Sequence, residues 1–146
     1  MGEHQDRIVA AASRAPYPPH MNRRALRRLA QAGTAISAVV ILYATLTPSP
    51  PDPAGLPDWA SHLLLFGALG VPASLWYATS EAARREPRRA LAMVILALWL
   101  FGGATEVAQG PIPGRSPALA DWAFDLVGAV AGFVGGGAAW RALLAR

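Results

Sequence analysis

Residues 102–128 read GGATEVAQGPIPGRSPALADWAFDLVG, a stretch that sets three carboxylates (Glu106, Asp121, Asp125), one amide (Gln109) and one guanidinium (Arg115) into otherwise apolar surroundings. Glu106 and Gln109 fall where an apolar helix ends, Arg115 in the Pro/Gly turn beyond it, and Asp121 and Asp125 at the start of the next apolar run. Residues four apart on a helix project to one side, so the two aspartates share a face that Gly128 and Gly132 continue. Like charges so placed repel, and the face calls for a cation, a shared proton or a water-filled cavity. Arg115 is the nearest candidate cation in sequence. Asp121 has a local reason to be there, because Ser116 fits an N-cap, Pro117 fits the first helical position, and acids near a helix start are favoured. Asp125 lies about 12 Å further along the axis. Glu106, at the wrong end of its own helix dipole, has no local reason at all.

Working outward, the 146-residue chain is 53% hydrophobic with positive mean hydropathy, and its apolar runs approach the roughly 20 residues that a bilayer-spanning helix needs. It reads as an all-α membrane protein: a four-transmembrane-helix bundle with helices at about 29–47, 59–79, 89–108 and 118–140. Cysteine is absent, which excludes disulfides and thiolate metal sites. The net charge of +4 comes with 13 basic residues, all arginine, that flank the apolar runs rather than sharing one face with aromatics, so nucleic acid is not an expected partner.

Residues 1–22 carry mixed charge and three prolines without a sustained period, and read as a disordered cytoplasmic tail holding the solvated His4 and His20; Met21 is a second candidate start. Arg23, Arg24, Arg27 and Arg28 precede the first apolar run. A signal peptide is the rival reading of that run, but no small-residue cleavage site precedes the prolines that follow, and a retained helix is favoured. The second run has Asp58 and His62 one turn apart and a mid-run Pro72, which should kink it. A charged loop, SEAARREPRR, leads into the third run. The fourth contains Gly128, Gly132, Gly135, Gly136 and Gly137, with overlapping GxxxG spacings for tight helix contact. The five tryptophans lie mostly toward run ends and read as an interfacial belt.

Arginine counting sets the orientation. Six precede the first run, four lie between the second and third, two flank the C-terminus and only Arg115 is on the other side, so both termini are expected in the cytoplasm. His62, Glu106, Gln109, Arg115, Asp121 and Asp125 then converge on the outer leaflet. Arg115 is suited to a phosphate or carboxylate, and His62 or Glu106 to a proton. The competing reading is that Arg115 neutralises the three acids and the charges only lock the helices.

The pattern Asp58-x-x-x-His62, Glu106-x-x-Gln109, Gly114-Arg115, Asp121 six residues later and Gly128-x-x-x-Gly132 resembles the VanZ-like family of small bacterial membrane proteins over residues 52–136. The chain departs from that pattern at Trp59, where the family often has a basic residue, and at Asp125, where it usually has asparagine. The resemblance implies a four-helix domain over 23–146 in the cell membrane, a role in the cell envelope and altered teicoplanin susceptibility, with a lipid-linked or cell-wall precursor as partner beside the bilayer. His62, Glu106, Asp121 and Asp125 offer donors that a hard or borderline cation accepts, but no spacing is diagnostic, so neither a metal nor a cofactor is assigned. Lipid-phosphatase, P-loop, GxSxG and HExxH patterns are absent. A binding protein, an enzyme acting on a phosphorylated or lipid-linked headgroup, and a structural or assembly protein therefore all stay open.

Overall fold

A computed structural model describes residues 22–48 and 55–144. The tail expected over 1–22, with His4 and His20, lies outside them except for Asn22. The described residues form helices only: α1 (Arg23–Leu46), α2 (Asp58–Thr79), the short α3 (Glu81–Arg85), α4 (Pro87–Gln109) and α5 (Leu119–Leu144). Four of them, α1, α2, α4 and α5, are long and apolar enough to cross a membrane.

The helix ends differ from the expected ones for identifiable reasons. α1 begins six residues early because arginine is a good helix former and the Asn22 side chain caps the start, accepting from the Arg24 and Ala25 amides at 3.0 and 3.2 Å. α4 starts at Pro87, whose fixed φ and missing N–H suit the first turn. The charged loop contains a helical turn: Ser80 accepts from the Ala83 amide, Glu81 opens α3, and Arg84 and Arg85 close it while pairing with Glu81. α2 runs unbroken through Pro72.

α2 and α5 are the closest pair in the bundle. A Cβ placed on Gly128 would lie 2.9 Å from the Leu63 Cα and carbonyl carbon; on Gly132, 2.8 Å from the Gly67 carbonyl carbon; on Gly136, 2.9 Å from the Val71 Cα. The two backbones therefore touch along three successive turns of α5, which is the purpose of the glycine spacing read in the sequence. α1 packs on the other side of α2, and α4 is docked onto α5 through Trp122, which stacks on Trp99 with centroids 4.7 Å apart and donates Nε1–H to the Trp99 carbonyl at 2.9 Å.

The core is small, formed by Ile41, Phe66, Leu69, Leu98 and Ala129. Large apolar side chains instead point outward on every long helix, among them Ile36, Leu64, Met93 and Val134. Such an exterior suits lipid rather than water. Hydroxyls within the helices are satisfied locally: Thr34, Thr45, Thr79 and Thr105 donate to carbonyls one turn back at 2.7–2.8 Å. The antiparallel arrangement gathers one end of every long helix into a face bearing Asp58, Glu106, Asp121, Asp125 and a single arginine, Arg115. The opposite end carries the arginines of α1, α3, α4 and α5.

Candidate functional site

The acidic end is built by three helices. α2 supplies Asp58 and His62, one turn apart; α4 supplies Glu106 and Gln109; α5 supplies Asp121 and Asp125, again one turn apart. The glycine seam sets the depth at which they meet. Leu63 rests on Gly128, so the neighbouring His62 faces Asp125 one turn before that glycine, and His62 Nδ1 lies 2.8 Å from Asp125 Oδ1. With Asp125 ionised, Nδ1 carries the proton and donates it. Glu106 Oε1 is 3.9 Å from the same nitrogen. All three residues are nearly inaccessible, with relative exposures of 5% for His62, 6% for Glu106 and 1% for Asp125.

Glu106 proves to have a structural partner after all. Its Oε2 accepts the Ala118 amide hydrogen at 2.9 Å, and the Ala118 carbonyl in turn receives the Asp121 and Trp122 amides. Ala118 thus occupies the cap of α5, and Glu106 places its charge at the positive end of that helix although it sits at the negative end of its own. The N-cap expected at Ser116 with Pro117 at the first helical position is accordingly replaced: α5 begins at Leu119, because a carboxylate from another helix does the capping. Among the described residues, two buried side-chain oxygens remain without a hydrogen-bond partner, Glu106 Oε1 and Asp125 Oδ2. Unsatisfied buried carboxylate oxygens are costly, on the order of 1–3 kcal/mol each or more when charged.

Asp58, His62 and Asp121 form a second group, with one donor atom from each lying within 4.8 Å of the others. Asp58 is exposed, Asp121 half-buried and His62 buried, so carboxylates line the way from the surface inward. Asp58 was read in the sequence as a partner of His62 but not as part of the site.

Arg115 is elsewhere. Its guanidinium donates to the Ala44 carbonyl at 2.5 Å and the Thr47 carbonyl at 3.3 Å, at the C-terminus of α1, and makes no ion pair with any described carboxylate. The direct ion pairing with Glu106, Asp121 and Asp125 expected from the sequence is therefore replaced by bonds to helix-end carbonyls. The last carbonyls of a helix lack intrahelical donors and carry partial negative charge, so they compete for a nearby guanidinium. Gly114, with φ +81°, turns the chain so that Arg115 reaches them. Gln109 is buried one turn beyond Glu106, and its carbonyl accepts from the Ile112 amide at 2.9 Å; its side-chain amide bonds to no described residue.

A groove of about 740 Å³ runs between α4 and α5, walled by Trp99, Gly103, Val107, Leu119 and Trp122, with Glu106 in its lining. Val107 and Leu119 are among the most exposed apolar residues of the protein, so the groove is an apolar one open at the surface beside Glu106. A second cavity of about 730 Å³, touching Arg27, Arg85 and Arg89, belongs to the opposite end. No protein-family model, curated protein or solved structure matches the chain.

Proposed function

We propose that this is a VanZ-like multi-pass protein of the cell membrane, with both termini in the cytoplasm, that binds a lipid-linked or cell-wall precursor at its acidic outer face and thereby alters envelope properties, including teicoplanin susceptibility. The orientation rests on the arginine asymmetry between the two ends of the bundle. The observation that carries the ligand reading is Glu106: one of its oxygens anchors α5, the other has no partner, and the residue lines an apolar groove open toward lipid. A prenyl or acyl chain fits along the α4/α5 groove, and a hydroxyl or amine on its headgroup satisfies Glu106 Oε1. The diversion of Arg115 to α1 argues for recognition through such donor groups rather than through phosphate alone.

The 2.8 Å contact of Asp125 with His62 favours one second reading, an enzyme in which Asp125 orients His62 as a general base toward a headgroup hydroxyl. The test is a set of Glu106→Gln, His62→Gln and Asp125→Asn variants expressed in a glycopeptide-sensitive host, scored for teicoplanin susceptibility and for lipids co-purifying with the protein. Loss of both readouts at wild-type abundance supports binding. Turnover of a lipid-linked headgroup by the wild type but not by His62→Gln supports the enzyme. Unchanged susceptibility and lipid content in all three well-folded variants would leave the cluster as a helix lock and overturn the proposal.

A further inference from the structure

The triad His62, Glu106 and Asp125 offers one imidazole nitrogen and two carboxylate oxygens from three different helices, with one donor atom from each within 4.8 Å of the others. Two of its carboxylate oxygens, on residues more than nine-tenths buried, have no hydrogen-bond partner among the described residues. No described arginine pairs with either acid, since Arg115 is committed to the α1 carbonyls. Two buried carboxylates against a single imidazole leave an excess of negative charge in a region of low dielectric, which is strongly unfavourable unless a proton or a cation joins them, and three donors from three helices aimed at one point are arranged for the cation.

From this geometry we infer that His62, Glu106 and Asp125 bind one borderline divalent cation, of which Zn²⁺ is the representative. A mixed nitrogen and oxygen donor set without thiolate selects that class, and three protein ligands leave a fourth position for water or a ligand group. Donors around a tetrahedral ion bound at about 2.1 Å stand roughly 3.4 Å apart. The separations from His62 Nδ1, 2.8 Å to Asp125 Oδ1 and 3.9 Å to Glu106 Oε1, straddle that spacing, and the two acids lie within 4.8 Å of each other, so side-chain adjustments of up to about 1.5 Å suffice. On metal binding Nδ1 gives up its proton and turns its lone pair inward. The Ala118 amide on Glu106 Oε2 then serves as the outer bond that orients a ligating carboxylate. Asp58 and Asp121 form the acidic approach from the surface. The inference does not depend on which molecule enters the α4/α5 groove.

The full chain, purified in detergent and stripped with chelator, is dialysed against Zn²⁺ and passed through gel filtration before elemental analysis. One zinc per chain is expected, together with a raised unfolding midpoint, and Co²⁺ in its place should give the visible absorption of a low-symmetry four-coordinate site. Asp125→Asn and Glu106→Gln preserve side-chain volume. Each should weaken zinc by at least the roughly 10- to 100-fold typical of disturbing even an outer-shell partner. Asp121→Asn should retain full stoichiometry with slower uptake. Sub-stoichiometric zinc on the wild type overturns the inference, as does unweakened binding in monodisperse Asp125→Asn and Glu106→Gln. Loss of zinc on Asp121→Asn alone overturns it too, by placing the site at the rim.

Discussion

Replacing Gly128 by alanine tests how the seam and the site depend on one another. The added methyl would stand 2.9 Å from the Leu63 Cα and carbonyl carbon, about 0.5 Å inside the 3.4 Å at which ordinary contact begins, and the Leu63 carbonyl oxygen is nearer still. These are backbone atoms that cannot rotate aside, so α2 and α5 must part by about 0.5–1.2 Å at this turn. Overpacking of this kind costs about 1–3 kcal/mol. Parting the helices also stretches the 2.8 Å His62–Asp125 contact toward or beyond the hydrogen-bond limit, which adds about 1.5–3 kcal/mol for a charged pair. The expected loss is therefore about 2.5–6 kcal/mol. Gly135→Ala is the matched control: nothing lies within 4 Å of its new methyl, and alanine's better helix propensity should make it neutral or stabilising by up to about 1 kcal/mol. The assay is reversible unfolding in mixed micelles followed by circular dichroism, with Asp125→Asn combined with each alanine variant. Equal stability of Gly128→Ala and Gly135→Ala would refute the reasoning. So would strict additivity of Gly128→Ala with Asp125→Asn, because a stretched contact should have less left to lose.

Arg115→Ala should cost about 1–3 kcal/mol by releasing two α1 carbonyls, yet leave lipid co-purification intact; loss of the ligand at unchanged stability would return the arginine to the site. Glu106→Ala should destabilise by about 1–3 kcal/mol more than Glu106→Gln, because glutamine keeps an acceptor for the Ala118 amide, and faster hydrogen exchange at the start of α5 should accompany the difference. Trp122→Phe removes the donor to the Trp99 carbonyl, with an expected cost of about 0.5–1.5 kcal/mol and a changed tryptophan emission; an unaltered unfolding curve would count against that bond. Because the chain has no cysteine, Ser116→Cys and Ala82→Cys report orientation directly. An impermeant maleimide applied to intact cells should label the first and spare the second, and the reverse pattern would invert the proposed topology.

The four long helices were legible because their apolar runs are bounded by arginines and by Pro/Gly turns, signals that belong to the sequence itself. Their ends were less so: Asn22 and Pro87 extend α1 and α4 into arginine-rich turns that read as flanks. Of the polar residues picked out, His62, Glu106 and Asp125 do meet, and Asp58 was visible through its spacing from His62. Arg115 was misplaced because nearness in sequence was taken for nearness in space, whereas the acceptors it reaches are carbonyls 68 and 71 residues away. No side-chain pattern marks a helix end as wanting a donor. Glu106 was anomalous for the opposite reason: its compensating partner is a backbone amide twelve residues on, invisible to any rule about residue types.

The contact of bare backbone along α2 and α5 also decides which separation within the cluster is held by main chain. Where two main chains meet with no side chain between them, no rotamer change can absorb a slide or a twist, so the pair carries His62 and Asp125 as one stiff body. Glu106 rides on α4, which meets α5 through the indole of Trp122 rather than backbone to backbone. The separation of His62 from Asp125 is therefore set by main chain, while the approach of Glu106 is set by side chains and by its bond to the Ala118 amide.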